Sequence, residues 1–262
     1  MNPRFTTIPA PLDDPPPAPA ADDQSPEKIR AMFGAITPTY DRLNRLLSGR
    51  RDEVWRRRAA RAALDGLQPC RAVADVATGT GDLACALLRE LARRPGSSTA
   101  HVVGLDFTRP MLAAARRKFS DARLAWAEAD GLRLPLRSAS VDAATIAFGL
   151  RNMADKPAAL RELVRVVRPG GRVVILEFSQ PPNPLFRALY DFYSFQVMPR
   201  LGHWLSRSDA YLYLGRSIRR FWSPDELTRQ MQAAGLTRIR AVPLMLGVVY
   251  LHVGERGEAS AP

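Results

Sequence analysis

The sequence predicts an α/β protein: an open, doubly wound, mostly parallel sheet that ends antiparallel, with helices before it and a helical insertion before the sixth strand. Three observations carry this. From Arg71 to Phe178, strand-like and helix-like runs alternate, the grammar of a parallel sheet covered on both faces. The first strand runs straight into a glycine loop, "VADVATGTGD" (Val73 to Asp82). The last two strand-like runs, "LTRIRAV" and "LGVVYLHVG", lie too close together for a parallel crossover.

In chain order, residues 1–24 are rich in Pro, Ala and Asp, have no apolar signal-peptide core and read as a disordered leader. Residues 25–66 read as a cap of three short helices. Ile29 and Phe33 share a side of the first. The second opens at Thr37-Pro38, carries Tyr40, Leu43 and Leu47, and stops at Gly49. Trp55, Ala59 and Ala62 face one way on the third. Residues 67–254 hold the sheet, with strands at "RAVADVA", "HVVGLD", "RLAWAEAD", "VDAATIAF" and "RVVILEF" before the final pair, seven in all. Between them, Ala84, Leu87, Leu88 and Leu91, then Leu112, Ala115 and Phe119, then Leu160, Leu163, Val164 and Val167 keep helical spacing. The insertion spans 180–222, and 255–262 reads as a tail. Ser223-Pro224-Asp225-Glu226 is a capping box opening a helix that Gly235 closes.

Composition limits the function classes. In 262 residues there is no apolar run long enough to span a membrane, and Cys70 and Cys85 lack metal or redox spacing, so a cytoplasmic protein without a metal is expected. The net charge is +12, yet only three of the 38 basic residues are lysine, a skew that GC-rich coding also produces. Nucleic acid is therefore not expected as a partner. The run "GRRDEVWRRRAAR" reads equally as a solvated helix face or as a contact with an anionic surface.

In a doubly wound sheet, ligands sit beyond the carboxyl ends of the strands. Gly79 and Gly81 allow close backbone approach there, Thr80 lies between them, and the helix N-terminus that follows can hold a carboxylate. Asp75 lies within strand one, where it could meet a ligand ammonium. Asp106 closes strand two, where an acid can accept both ribose hydroxyls, and Asp130, followed by Gly131, closes strand three, where it could take an adenine amino group. A single such Asp is often only a turn former; three on successive strand ends argue for a site. The loop alone also fits a dinucleotide pattern, which leaves an NAD-dependent oxidoreductase open.

This organisation resembles the class I S-adenosylmethionine-dependent methyltransferases, with a Rossmann-like seven-stranded sheet whose last strand is antiparallel. The resemblance implies S-adenosyl-L-methionine as cosubstrate. "TPTYDRLNRLLS", "AFGLRNM", "YDFYSFQVMPRLG" and "GVVYLHVG" are more specific: they resemble the ubiquinone/menaquinone biosynthesis C-methyltransferase family from Pro26 to Gly254. That implies ring-carbon methylation of a polyprenylated quinol, giving menaquinol from demethylmenaquinol or methylating a 2-methoxy-6-polyprenyl-1,4-benzoquinol. Ala147, where many members carry a small hydroxyl residue, offers only backbone to the cosubstrate.

Such a reaction is eased when a quinol hydroxyl is deprotonated, which at pH 7 asks the site for about 4 kcal/mol. The resemblance places Arg151 and Asn152 facing the substrate after strand four, where a buried guanidinium could steady the oxyanion, and Tyr40 could reach over from the N-terminal helices. Ten of the twenty aromatic residues lie between Phe186 and Trp222, mostly as core of the insertion, but Tyr190, Tyr193 and Phe195 are candidates for the substrate wall. No base is named among His101, His203 and His252. A lipid acceptor leaves a peripheral contact with the inner face of the membrane open, and a homodimer equally so. A methyltransferase for another small apolar substrate is the neighbouring alternative.

Overall fold

The computed structural model describes residues 25–97, 99–193, 196 and 210–257. The expected leader, the tail beyond residue 257, Phe195 and His203 lie outside the described residues. Helix α1 (Pro26–Leu47) is followed by α2 (Arg51–Leu64), β1 (Ala72–Val76), α3 (Asp82–Leu91), β2 (His101–Asp106), α4 (Arg109–Lys118), β3 (Leu124–Glu128) and β4 (Val141–Ala147). After a single 3-10 turn (Leu150–Asn152) come α5 (Lys156–Val166), β5 (Val167–Phe178), α6 (Pro184–Phe192), α7 (Ala210–Arg220), α8 (Pro224–Ala233), β6 (Leu236–Leu244), a second 3-10 turn (Met245–Gly247) and β7 (Val249–Arg256).

The strands form one seven-stranded sheet in the order β3-β2-β1-β4-β5-β7-β6, with every pairing parallel except those of β7, which runs antiparallel to β5 and β6. A dinucleotide-dependent oxidoreductase would end in parallel strands, so this ending sets that alternative aside. Successive residues feed opposite faces of the sheet. Val73, Val174 and Leu176 join α2 and α3 in one core, whereas Ala74, Val76, Val173 and Ile175 join α5 and α8 in the other. That two-sided burial is why the central strands are nearly continuous Val, Ile, Leu and Ala. The capping box at Ser223 forms as its spacing predicts, with Leu227 and Met231 buried behind it.

One expectation fails. The first two short helices are a single 22-residue helix with Pro38 inside it. Proline offers no amide hydrogen to the Gly34 carbonyl, at a cost of about 3 kcal/mol in a helix interior. The helix continues because packing holds both halves in line: Ile29, Met32 and Ile36 are buried before the proline and Leu43 after it. The Thr37 and Thr39 hydroxyls donate to the Phe33 and Ile36 carbonyls at 2.8 and 3.2 Å, binding the turn around the proline. The uninterrupted α1 lies across the carboxyl ends of the strands, packing Ile29, Met32 and Ile36 against Tyr213 of α7.

Candidate active site

Two chambers lie side by side at the strand ends. The smaller, about 140 Å³, is bounded by Gly79 after β1, Asp106 and Phe107 after β2, Asp130 after β3, Ala147 and Asn152 after β4, and Ile29 and Phe33 of α1. The larger, about 570 Å³, lies between α1, α2, α6 and α7 and includes Trp55, Arg56, Arg151, Tyr190, Tyr193 and Tyr213. Phe33, Tyr40 and Phe148 face both, and so form the wall between them.

The smaller chamber contains some of the sequence-nominated residues and not others. Gly79 takes φ +56° with open space where a Cβ would stand, and its amide donates to the Asp106 carboxylate at 2.8 Å. Asp106 also accepts from the Thr108 amide at 2.8 Å, and burial pushes its carboxyl up while these amides pull the other way. The Thr108 side chain and the Phe107 amide act on the same carboxylate, so it is held from one side by the loop that closes β2. Asp130 is exposed at the chamber's edge, its Oδ1 taking the Leu132 amide at 2.9 Å.

Asp75, Thr80, Gly81 and Gly131 stand behind the walls. The Asp75 carboxylate is buried and receives the hydroxyls of Thr78 (2.6 Å) and Thr145 (2.7 Å), which brace the first turn of the loop from beneath. Burial raises its pKa to about 6. The Thr80 hydroxyl donates to Asp41 of α1 at 2.6 Å. A Cβ on Gly81 would stand 2.5 Å from the Trp126 ring, so this glycine makes room for a half-buried tryptophan packed on the core. One on Gly131 would collide with Met153.

"FGLRN" turns sharply. Phe148 adopts φ +57°, which a bulky residue takes only when its surroundings impose it. Its amide donates to Leu176 of β5 at 2.8 Å, and its carbonyl accepts from both Arg151 and Asn152. The two residues then part. Asn152 faces the smaller chamber and accepts the Tyr213 hydroxyl at 3.2 Å; Arg151, buried, faces the larger. Arg151 pairs with buried Glu177 at 2.8 Å, and Glu177 also accepts the Arg151 and Phe178 amides at 3.2 and 2.9 Å.

The larger chamber is aromatic. Phe148 and Phe178 pack with ring centres 4.6 Å apart and planes tilted by 37°, and Trp55 leans on Phe148 at 6.2 Å. The Tyr193 hydroxyl donates to the Leu47 carbonyl at 3.0 Å, tying α6 to the end of α1. At the shared wall, burial pushes the Tyr40 phenol up, while Arg56, Arg151 and a hydrogen bond with Asn44 pull it down. Among the described residues, no histidine lines either chamber. His252 is packed inside β7 against the Pro224 carbonyl at 3.1 Å, and burial pushes its pKa down.

Sequence reasoning missed Arg56, Asp52 and Glu177. The signal for the first two was there: Asp52 and Arg56 are four residues apart and continue onto buried Ala59, Ala60 and Ala63. That places the pair on the inward side of a helix whose arginines read as solvated. Nothing local marks Glu177, which gains its meaning from Arg151, far away in sequence.

The chain matches the model of the ubiE/COQ5 methyltransferase family over residues 21–256. It is 48% identical to the demethylmenaquinone methyltransferase of Thermus thermophilus across 86% of this chain and all of that one. With the demethylmenaquinone methyltransferase of Deinococcus radiodurans the identity is 44%, covering 88% and 93%. With the ubiquinone/menaquinone biosynthesis C-methyltransferase of a Geobacter species it is 42%, covering 88% and 97%. Among solved structures, an S-adenosylmethionine-dependent methyltransferase from Thermotoga maritima superposes with a TM-score of 0.58 at 18% identity, covering 86% of this chain and 99% of that one.

Proposed function

This chain belongs to the ubiE/COQ5 methyltransferase family, and from that premise we propose that it methylates a ring carbon of a polyprenylated quinol, with demethylmenaquinol as acceptor. The observation that carries the reading is the 570 Å³ aromatic chamber with buried Arg151 in its wall, set beside the acid-rimmed smaller chamber across Phe33, Tyr40 and Phe148.

The smaller chamber suits S-adenosyl-L-methionine. The open face of Gly79 admits a chain close to the backbone, Asp106 can accept ribose hydroxyls, and Ile29, Met111 and Leu132 offer apolar cover for a purine. When bound, that cosubstrate supplies an electrophilic methyl on a sulfonium; the ring carbon takes it, the S–C pair stays on sulfur, and the carbon's own hydrogen leaves as a proton. The rest of the work falls to this chain. Phe148, Phe178 and Trp55 give the ring an aromatic surface to pack against. Arg151 places positive charge where a quinol oxygen becomes anionic, and Glu177 and the Phe148 carbonyl fix its guanidinium. Positioning and charge of this kind can supply much of the about 4 kcal/mol that ionising a phenol at pH 7 demands.

An apolar groove beside Phe186 and Leu189, about 760 Å³ and lined also by Leu185, Pro243, Leu246 and Tyr250, leads away from the acceptor chamber. It gives an isoprenoid tail a path out. Leu185 is 82% and Leu246 72% exposed, which suits a protein that meets its substrate at the cytoplasmic face of a membrane. Among the described residues, no helix is long and apolar enough to cross one.

The test is methyl transfer to demethylmenaquinol and to 2-methoxy-6-polyprenyl-1,4-benzoquinol side by side, read by mass. Transfer to the naphthoquinol is the expected outcome. Transfer to the benzoquinol alone moves the assignment to ubiquinone synthesis, and transfer to neither ends the quinol reading.

A further inference from the structure

Arg56, on the face of α2 that looks into the acceptor chamber, has only 11% of its side chain exposed. Its Nη1 pairs with Asp52 and approaches Asp82 at 3.9 Å. Among the described residues, both carboxylate contacts run through that one nitrogen, so the edge carrying Nε and Nη2 is committed to neither. Asp52 has other support: the Ser48 hydroxyl donates to it at 2.8 Å, and it sits in the first turn of α2, where the helix dipole favours an anion.

The guanidinium lies over the Phe148 ring at 5.8 Å, and that of Arg151 over the Phe178 ring at 5.4 Å. Because those rings are in contact, each arginine lies over one ring of a single aromatic pair. Both act on the Tyr40 phenol, with Asp106 opposing them. A ring carrying oxygens at both para positions would need both satisfied once it fills this largely aromatic chamber, since a buried polar group left without a partner is costly. Arg151 can serve one.

We infer that Arg56 binds the acceptor's second ring oxygen, so that Arg56 and Arg151 bracket a para-dioxygenated ring lying against Phe148 and Phe178. The inference rests on the quinol reading of the chamber. Arg56 only donates hydrogen bonds, and no proton or covalent step passes through it.

The probe is 4-methoxy-1-naphthol, a fluorescent ring with oxygen at both para positions, titrated anaerobically into the full-length protein without methyl donor. Arg56→Gln should weaken its binding about 10- to 100-fold, the range for a hydrogen bond to a charged group, and Arg56→Lys should recover most of it. In turnover, the acceptor KM should rise while the cosubstrate KM holds. Because Arg56→Gln strands Asp52, the doubly neutral Asp52→Asn/Arg56→Gln variant is run beside it, with thermal melting as the folding check. Weak binding in a folded double variant supports the bracket. Equal binding by wild type and both variants, including no binding by any, overturns it. If binding depends on Arg56 yet no quinol is methylated, the acceptor reading fails and the bracket stands.

Discussion

Gly79 and Gly81 lie two residues apart and answer to different constraints. Gly79 has left-handed backbone and open space toward the smaller chamber; Gly81 is left-handed with a tryptophan against it. Gly81→Ala should therefore cost about 2–4 kcal/mol of stability from strain and overpacking together. Gly79→Ala should cost about 1 kcal/mol and mainly weaken cosubstrate binding. Urea denaturation beside a binding titration separates the two, and equal stability losses would refute the distinction. Glu177→Ala takes the carboxylate from buried Arg151 and should destabilise by about 3–5 kcal/mol in the same assay. Asp75 makes a pH prediction. Its carboxyl ionises at about 6 in the fold against an ordinary 3.8, so the folded state binds the proton more tightly than the unfolded chain. Its contribution is then full below pH ~4 and is lost as pH rises through ~6, amounting to roughly 3 kcal/mol. The stability difference between wild type and Asp75→Asn should carry that slope, and a flat difference would contradict it.

At the scale of elements, α1 is fastened to the glycine loop as well as packed beside it. Asp41 accepts the Thr80 hydroxyl and the Lys118 ammonium at 2.6 and 2.7 Å, which holds its own carboxyl below the usual range despite the opposing effect of burial. Lys118 also pairs with Asp82 at the start of α3, and Arg45 approaches Asp82 at 3.6 Å. The chamber beneath α1 holds about 140 Å³, under the ~300–1,000 Å³ of an ordinary small-molecule site. A ligand as large as S-adenosyl-L-methionine therefore enters only as α1 gives way or as the neighbouring chamber is shared. Asp41→Ala should speed amide exchange along α1 on the order of tenfold, equivalent to about 1.4 kcal/mol of lost protection, and should speed cosubstrate release. Exchange that stays at the wild-type rate would show that packing alone holds the helix.

For the molecule as a whole, one end of a sheet carries both chambers, and an apolar groove leads outward from the second. If the proposed tail follows that groove, Leu185→Asp and Leu246→Asp should raise the KM for a long-tailed quinol severalfold and leave that for a one-isoprene analogue unchanged. An equal effect on both would place the tail elsewhere. The sequence carried a good part of this arrangement. Alternating strand and helix periods, the capping box at Ser223 and the short final connection fixed the sheet and its antiparallel ending, since each is a local pattern with a local cause. "FGLRN" pointed to Arg151 and Asn152 as neighbours on one substrate-facing stretch, and only the fold sends them into separate chambers. The tertiary structure decided what depends on distant residues meeting: that α1 runs unbroken through Pro38, that Asp75 and Gly81 serve the loop from behind, that Glu177 holds Arg151, and that Arg56 faces inward. Periodicity shows which side of a helix is apolar, but a buried charge is tolerated only where a partner from another element offsets its lost hydration, and that partner is named by the fold.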